Sequence, residues 1–197
     1  PNFQNKQVAV VGTGSSGIQV ISQVAEAAGK LYVLQRTPAY TIPLQNRPVD
    51  PGHAAKMKAQ YAELRERQRN SFSGFTLVHS DLSPPPSQSA LEVSDEARRA
   101  EYENRWASGG LSPYYAFTDS LLNMESNQTL AEFAREKIRA RIDDPVIAEK
   151  LCPQYPILTR RLSPETRYLE AFNRPNVELV DLLEAPISRF TKQGLVV

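Results

Sequence analysis

Three glycines followed by an arginine are the residues of this sequence best spaced to bind a nucleotide. Gly12, Gly14 and Gly17 come directly after the apolar run 8–11 and form the pattern G-x-G-x-x-G. In dinucleotide-binding proteins the first glycine allows a tight turn, the second lets a pyrophosphate approach the backbone, and the third lets a helix pack close to the strand. The pyrophosphate lies on the unpaired amides at the positive end of that helix. The pattern therefore predicts an anion site between positions 12 and 17.

The elements that must position these glycines are predicted by the neighbouring residues. Apolar side chains recur at helical spacing from Ile18, with Ile21 on the same face, and a second apolar run covers 31–34. Gly29 stands where the C-terminal stop of a helix is expected. Residues 7–35 therefore predict a strand, a glycine turn, a helix and a second strand.

Arg36 and Thr37 follow the second strand, at the position that selects the dinucleotide. An acidic residue there would accept hydrogen bonds from the ribose hydroxyls of NAD or FAD. A guanidinium instead matches a phosphate with bidentate geometry and offers no acceptor to a ribose diol. The pair therefore predicts NADP(H) in preference to NAD(H).

Composition and charge argue against several classes of function. The chain has 197 residues, 41% hydrophobic and 23% charged, and its net charge of +1 argues against an extended nucleic-acid surface. No apolar run approaches the ~20 residues of a membrane span, so no membrane partner is expected. The single cysteine, Cys152, excludes an internal disulfide, fits a reducing cytoplasm and is expected to be a small buried side chain. His53 and His79 lack a cluster of ligands at metal-binding spacing, and no metal site is predicted.

A long central stretch is expected to be mainly helical. Residues 53–70 are rich in helix formers and contain the i,i+4 pair Glu63–Arg67. The proline-rich run 83–87 predicts a loop, and the charged run 135–141 is expected to form a solvent-exposed face.

Capping signals predict where three further helices begin. Ser94 is expected to cap a helix that ends at Gly109. Thr129 with Glu132 is typical of a capping box and predicts the start of the next helix. Asp144 precedes a proline and predicts a short last helix that ends near position 152.

Apolar segments at 177–180, 187–190 and 195–197 predict strands after the helices. Strands at both ends with helices between them predict an α/β fold, a Rossmann-like NADP-binding domain with a helical insertion. The expected parts are residues 1–48 and 152–197 for the nucleotide-binding domain and 49–151 for the insertion.

The glycine turn and Arg36 belong to a larger set of motifs that resembles the Baeyer–Villiger monooxygenases, which are flavin- and NADPH-dependent enzymes of the cyclohexanone monooxygenase type. The resemblance covers nearly the whole chain. It is carried by the segments 8–20, 33–38, 46–48, 89–92, 144–145, 148–153, 155–156, 160–161, 168–170 and 172–177.

The resemblance implies an NADP domain with a helical insertion and assigns roles to residues by position. Arg36 and Thr37 would hold the 2′-phosphate together with Arg160, which stands where many members have a lysine. Arg161 falls on the family's catalytic arginine, which stabilises negative charge beside the flavin. The implied cofactor contacts are Gly12, Thr13, Gly14, Ser15, Ser16, Gly17, Gln19, Arg36, Thr37 and Arg160. Taken alone, the Arg160-Arg161 pattern is that of a solvent-facing loop.

The resemblance also implies what these 197 residues lack. The family's flavin-binding motif and the remainder of its flavin domain are absent, the sequence begins at Pro1, and its last residues resemble an unfinished strand. We therefore expect a fragment of a longer polypeptide whose missing domain binds FAD. In that parent, NADPH, FAD and dioxygen would convert a ketone into an ester or lactone. Two alternatives stay open: a flavin monooxygenase that oxidises nitrogen or sulfur, and a non-catalytic nucleotide-binding module.

Overall fold

A parallel three-stranded sheet carries the glycine turn. The computed structural model describes residues 2–46, 48–70 and 86–197. In it β1 (Gln7–Val11), helix α1 (Ser15–Ala27) and β2 (Lys30–Gln35) follow one another as predicted, and β5 (Val177–Asp181) returns to pair with β2. The sheet order is β1-β2-β5, with all strands parallel. An α/β fold is thereby confirmed, with the helices inserted between two parts of one sheet.

The remaining elements lie between β2 and β5 or after them. They are β3 (Thr41–Pro43), α2 (Pro51–Ala59), α3 (Tyr61–Arg69), α4 (Asp95–Ser108), α5 (Met124–Arg139), α6 (Pro145–Leu151), β4 (Ser163–Glu165), β6 (Arg189–Thr191) and β7 (Gly194–Val196), with 3-10 helices at Ser112–Tyr115 and Glu170–Asn173. β3 and β4 form a separate parallel pair, and β6 and β7 form an antiparallel hairpin. The predicted loop at 83–87 lies largely outside the described residues.

Two apolar clusters hold these elements together, and α5 contributes to both. In the first, Ile18 and Ile21 of α1 pack against the sheet residue Leu31, and all three are at most 1% exposed. In the second, Phe133 of α5 packs against Tyr102 of α4, and Tyr40 next to β3 belongs to the same cluster. Each buried side chain of this size contributes about 1.5–3 kcal/mol, so α1 is held against the sheet and α5 joins the helices to β3.

Most of the predicted helix boundaries are confirmed. Ser94 caps α4, where its hydroxyl accepts a hydrogen bond from the amide of Ala97, and Gly109 ends that helix with φ of 71°. Asp144 caps α6 through the amide of Val146. The predicted helical run 53–70 is divided into α2 and α3 at position 60.

The capping box predicted at Thr129 is wrong. Helix α5 begins earlier, because the Asn123 side chain accepts hydrogen bonds from the amides of Glu125 and Ser126 and so satisfies the free donors at that point. Thr129 therefore lies inside the helix, where its hydroxyl donates to the Ser126 carbonyl at 2.7 Å.

Gly29 lies just past the end of α1, where the helix stop is predicted, but not in a left-handed conformation. The helix ends at Ala27 and the following residue is extended. Gly29 is needed for a close approach instead, because a Cβ at this position would lie 2.9 Å from the Cα of Asn5. The C-terminal strands are confirmed with shifted bounds, since β6 and β7 meet in a tight hairpin.

Candidate nucleotide-binding site

The glycine turn closes at the carboxyl end of β1. Gly12 has φ of 95°, in the left-handed region, and its amide donates to the Leu34 carbonyl of β2 at 2.8 Å. A Cβ at Gly17 would lie 2.2 Å from the Gly12 carbonyl oxygen, a distance that no side chain tolerates. Glycine is therefore required at position 17 because α1 and the turn touch there, whereas position 12 requires it for its backbone angle.

The opposite side of the turn is open. Apart from their own chain neighbours, no atom of the described residues lies within 4 Å of where a Cβ would stand on Gly12 or Gly14. Gly14 precedes the first helical residue in an extended conformation and provides no side-chain cap for the amides of α1. The first turn of the helix contains no acidic residue. This end of α1 thus presents unpaired donors and a positive dipole to an anion, and the space above the glycines admits one.

Thr13 connects the turn to the end of β2. Its side chain is 4% exposed, and its hydroxyl lies 3.3 Å from both Gln35 Oε1 and the Thr37 carbonyl oxygen. Gln35 in turn donates from Nε2 to the Lys150 carbonyl at 2.7 Å. The Thr13 hydroxyl is thus used within the protein. The sequence analysis did not identify Gln35 as the residue that connects the turn to this segment. An amide side chain at the end of an apolar strand could have indicated such a role.

Ser15, Ser16 and Gln19 occupy the exposed first turns of α1. The Ser15 hydroxyl shares a hydrogen bond of 3.1 Å with the hydroxyl of Ser163, which is 3% exposed and begins β4. Because Arg160 and Arg161 come just before β4, this contact brings their segment to the N-terminus of α1.

Arg36 and Thr37 lie at the same edge of the sheet as the glycine turn, since the carboxyl ends of parallel strands meet at one edge. Arg36 is exposed, and within residues 2–46, 48–70 and 86–197 it forms no ion pair. Thr37 is half-buried and its carbonyl receives the Thr13 contact. The Arg36 guanidinium is therefore available for a phosphate beside the turn.

Arg160 and Arg161 are both exposed, in agreement with a loop pair. The Arg160 guanidinium carbon lies 4.7 Å from the centre of the Tyr155 ring. Arg161 forms no ion pair with the part of the chain that the structure describes, and it is followed by Leu162, a buried residue whose amide donates to the Tyr114 hydroxyl. Both charges therefore face outward from a well-anchored segment.

The charged run 135–141 is not simply a solvent-exposed face. Arg135 is 8% exposed, and its Nη1 donates to the Tyr40 hydroxyl at 2.9 Å and to the Pro153 carbonyl. Arg141 donates to the carboxylate of Glu165, whose side chain is 1% exposed and also accepts from the amide of Tyr168 at 2.8 Å. These two arginines were misjudged because their partners are distant in sequence and are brought close only by the packing of α5.

Cys152 is a buried side chain, as predicted. Cys152 is 2% exposed, and burial raises the pKa of its thiol to about 11, so it is protonated at neutral pH. Across the described ranges no three His, Cys, Asp or Glu side chains are grouped so that they could hold a metal ion. In the same ranges no helix is long and apolar enough to cross a bilayer.

Fold and site together define an α/β domain in which a glycine turn, a helix N-terminus and exposed arginines lie at one sheet edge, an arrangement typical of dinucleotide-binding proteins. The sequence matches no family profile. It is 39% identical over 196 residues to 2-oxo-Delta(3)-4,5,5-trimethylcyclopentenylacetyl-CoA monooxygenase of Pseudomonas putida. It is 36% identical over 196 residues to cyclohexanone 1,2-monooxygenase of Acinetobacter sp.. Each match covers 98% of this chain and 35% of the relative. The resemblance to Baeyer–Villiger monooxygenases is thereby confirmed, and the chain spans about a third of the length of these relatives.

A solved structure supports the same relationship. An oxidized steroid monooxygenase bound to NADP superposes with a TM-score of 0.91 and 45% identity, over 100% of this chain and 36% of the other. A relative with a different named reaction also matches: phenazine N-monooxygenase PhzNO1 of Lysobacter antibioticus is 32% identical over 197 residues, which cover 99% of this chain and 35% of that protein.

Proposed function

We propose that this chain is the NADP(H)-binding portion of a flavin-dependent monooxygenase that inserts oxygen next to a ketone carbonyl and gives an ester or lactone. The observation that carries the proposal is the glycine turn with Arg36 at one sheet edge, in a chain similar over its whole length to ketone monooxygenases. FAD would be held by sequence outside these 197 residues, and the ketone and dioxygen would meet there.

The residues present fit NADP(H). Gly12, Gly14 and the free amides of α1 leave an open cradle whose N–H donors would bind a pyrophosphate. Arg36 and Arg160 offer guanidinium groups to a 2′-phosphate, and Arg36 forms no ion pair in the described ranges that would compete. Thr37 joins them at this edge, while Ser15, Ser16 and Gln19 line the exposed start of α1.

When bound, the nicotinamide supplies a hydride for reduction of the flavin. The protein's own contribution is to bind and orient the dinucleotide and to hold permanent positive charge near the reacting centre. Arg161 is assigned that second role, because an arginine stays charged at any working pH and its side chain is unpaired within the described residues. We divide the chain into residues 1–48 and 152–197 for nucleotide binding and 49–151 for the helical insertion.

N-oxygenation is the second candidate, because a phenazine N-monooxygenase matches this chain over 99% of its length. The two candidates share the nucleotide site and differ in the substrate that the flavin attacks. The fold at this site does not distinguish them, and a substrate comparison does.

The test is a comparison of substrates with the complete protein loaded with FAD and NADPH. We expect oxygenation of cyclic ketones with consumption of NADPH, and loss of product when Arg161 is changed to Ala. Oxygenation of aromatic amines or N-heterocycles without ester or lactone formation would favour the second candidate. NADPH consumption without oxygenation of either class would overturn both.

A further inference from the structure

We propose that Tyr155 is a positioning residue that holds the Arg160 guanidinium for the 2′-phosphate, and that it thereby contributes to the preference for NADP(H) over NAD(H). This inference rests on the proposed function, and it concerns a residue that does not itself reach the nucleotide.

The first observation is the contact between the two side chains. The Arg160 guanidinium carbon stands 4.7 Å from the centre of the Tyr155 ring, within the range of a cation–π interaction. Among the described residues Arg160 has no hydrogen bond or ion pair. A guanidinium held over a ring instead of in an ion pair keeps N–H donors free, and such donors bind a phosphate.

The second observation is that the Tyr155 ring is itself held in place. It packs edge-on against Tyr40 with ring centres 5.3 Å apart, and its hydroxyl accepts a hydrogen bond from the Tyr40 amide at 3.4 Å. Tyr40 is 2% exposed, and its hydroxyl accepts from the buried Arg135 and donates to the Pro153 carbonyl at 3.1 Å. Arg160 thus rests on a rigid aromatic support.

The third observation is where this support lies. Tyr40 ends the segment that runs from Arg36 to β3, so the stack connects Arg160 to the segment that carries the first arginine. An exposed arginine must lose rotamer freedom when it binds a ligand, and a stacked one has already lost part of it. Because NAD(H) has no 2′-phosphate, this gain in binding affinity is confined to NADP(H).

The chemistry of the pair fits this role. Burial raises the pKa of the Tyr155 phenol above its usual value, so the ring stays neutral at physiological pH, and the guanidinium stays charged. A lysine at position 160 would place a point charge over the ring but lacks the planar group that both stacks and presents paired donors. Tyr155 can therefore orient the arginine at position 160 more effectively than it could orient a lysine there.

The test measures NADP⁺ and NAD⁺ affinity by calorimetry for the unsubstituted chain and for Tyr155→Leu, Tyr155→Phe, Arg160→Ala and the Tyr155→Leu/Arg160→Ala double variant. We expect Tyr155→Leu to weaken NADP⁺ binding about threefold to tenfold with NAD⁺ binding unchanged. Tyr155→Phe keeps the ring, so its NADP⁺ affinity should stay near that of the unsubstituted chain. In the Arg160→Ala background, Tyr155→Leu should have no further effect on NADP⁺ affinity. Tyr61→Leu, at a tyrosine 63% exposed in α3, is the matched control and should change nothing.

Three outcomes would overturn the inference and leave the proposed function standing: unchanged affinities for both cofactors in Tyr155→Leu, an equal loss of affinity for both, or a full Tyr155→Leu effect without Arg160. The first would show that the stack is not used, and the other two would assign Tyr155 a structural role. An unsubstituted chain that binds no NADP⁺ would overturn the nucleotide site of the proposed function as well.

Discussion

The Ser15 hydroxyl at the start of α1 and the Ser163 hydroxyl at the start of β4 lie 3.1 Å apart, although 148 positions separate them in the sequence. Ser163 is also held by its amide, which donates to the Tyr40 carbonyl at 3.1 Å. One hydrogen bond therefore joins the predicted pyrophosphate turn to the segment that carries Arg160 and Arg161. This contact makes the two halves of the candidate site one structure.

We expect Ser163→Ala to lower the free energy of unfolding by about 1 kcal/mol and to increase tryptic cleavage after Arg161, because the hydroxyl bond to Ser15 is lost without a change in packing. Urea unfolding and limited proteolysis measure the two effects. Ser188→Ala is the control, since its exposed hydroxyl contacts only the Val196 carbonyl of the hairpin at 3.2 Å. An equal response of the two variants would contradict a special role for the Ser15–Ser163 contact.

Arg36→Ala should weaken NADP⁺ binding by about 2 kcal/mol, roughly thirtyfold, and leave NAD⁺ binding unchanged, because a charge-assisted contact with the 2′-phosphate is removed. Calorimetric titration with both nucleotides measures the change. Arg189→Ala in β6 removes an exposed arginine far along the chain and serves as the control. If both arginine variants lost NADP⁺ affinity equally, general charge attraction would explain the result and the assignment of Arg36 would fail.

Gly17→Ala should destabilise the fold by about 2 kcal/mol and reduce NADP⁺ affinity, because the new Cβ would lie 2.2 Å from the Gly12 carbonyl and would push the turn away from α1. Urea unfolding with parallel calorimetry tests both parts. Gly52→Ala is the matched control, since its Cβ would meet Asp50 at an ordinary 3.5 Å within helix α2. If Gly17→Ala unfolded at the same midpoint urea concentration as the unsubstituted chain, the turn would have adapted to the new Cβ.

Glu132 should make the free energy of unfolding depend on pH in the acidic range. Hydrogen bonds from Arg139 and, to a smaller extent, Arg135 hold its pKa below the usual 4.5 against the opposing effect of burial. A lowered folded pKa means that the unfolded chain takes up the proton first, so this contribution is present above about pH 4.5 and is lost as the pH falls through the folded value. The effect is modest because Glu132 is about half exposed.

The check is the melting temperature of the unsubstituted chain and of Glu132→Gln from neutral pH down to about pH 3. We expect the difference between the two proteins to shrink as the pH falls below 4.5. A difference that stays constant over this range would show that the charge of Glu132 does not contribute.

Local chemistry explains which features the sequence predicted. The glycine spacing and the apolar runs around it predicted the βαβ unit because backbone angles, close approach and periodic burial act over a few residues. The cap at Ser94 was predicted for the same reason, since its donor lies in the next turn of the chain. The cap at Thr129 failed where a second local cap, Asn123, competed for the same helix.

The sequence by itself thus determined the glycine turn, the helix that follows it and the place of Arg36, for which we propose contact with the 2′-phosphate of NADP(H). Only the tertiary structure decided that Ser163 meets Ser15, that Arg135 contacts the Tyr40 hydroxyl and that Tyr155 packs against Tyr40. Those contacts join residues far apart in the chain, and their free energy is gained only when the helices pack against the sheet. No window of the sequence contains both partners, which is why no local pattern predicted them.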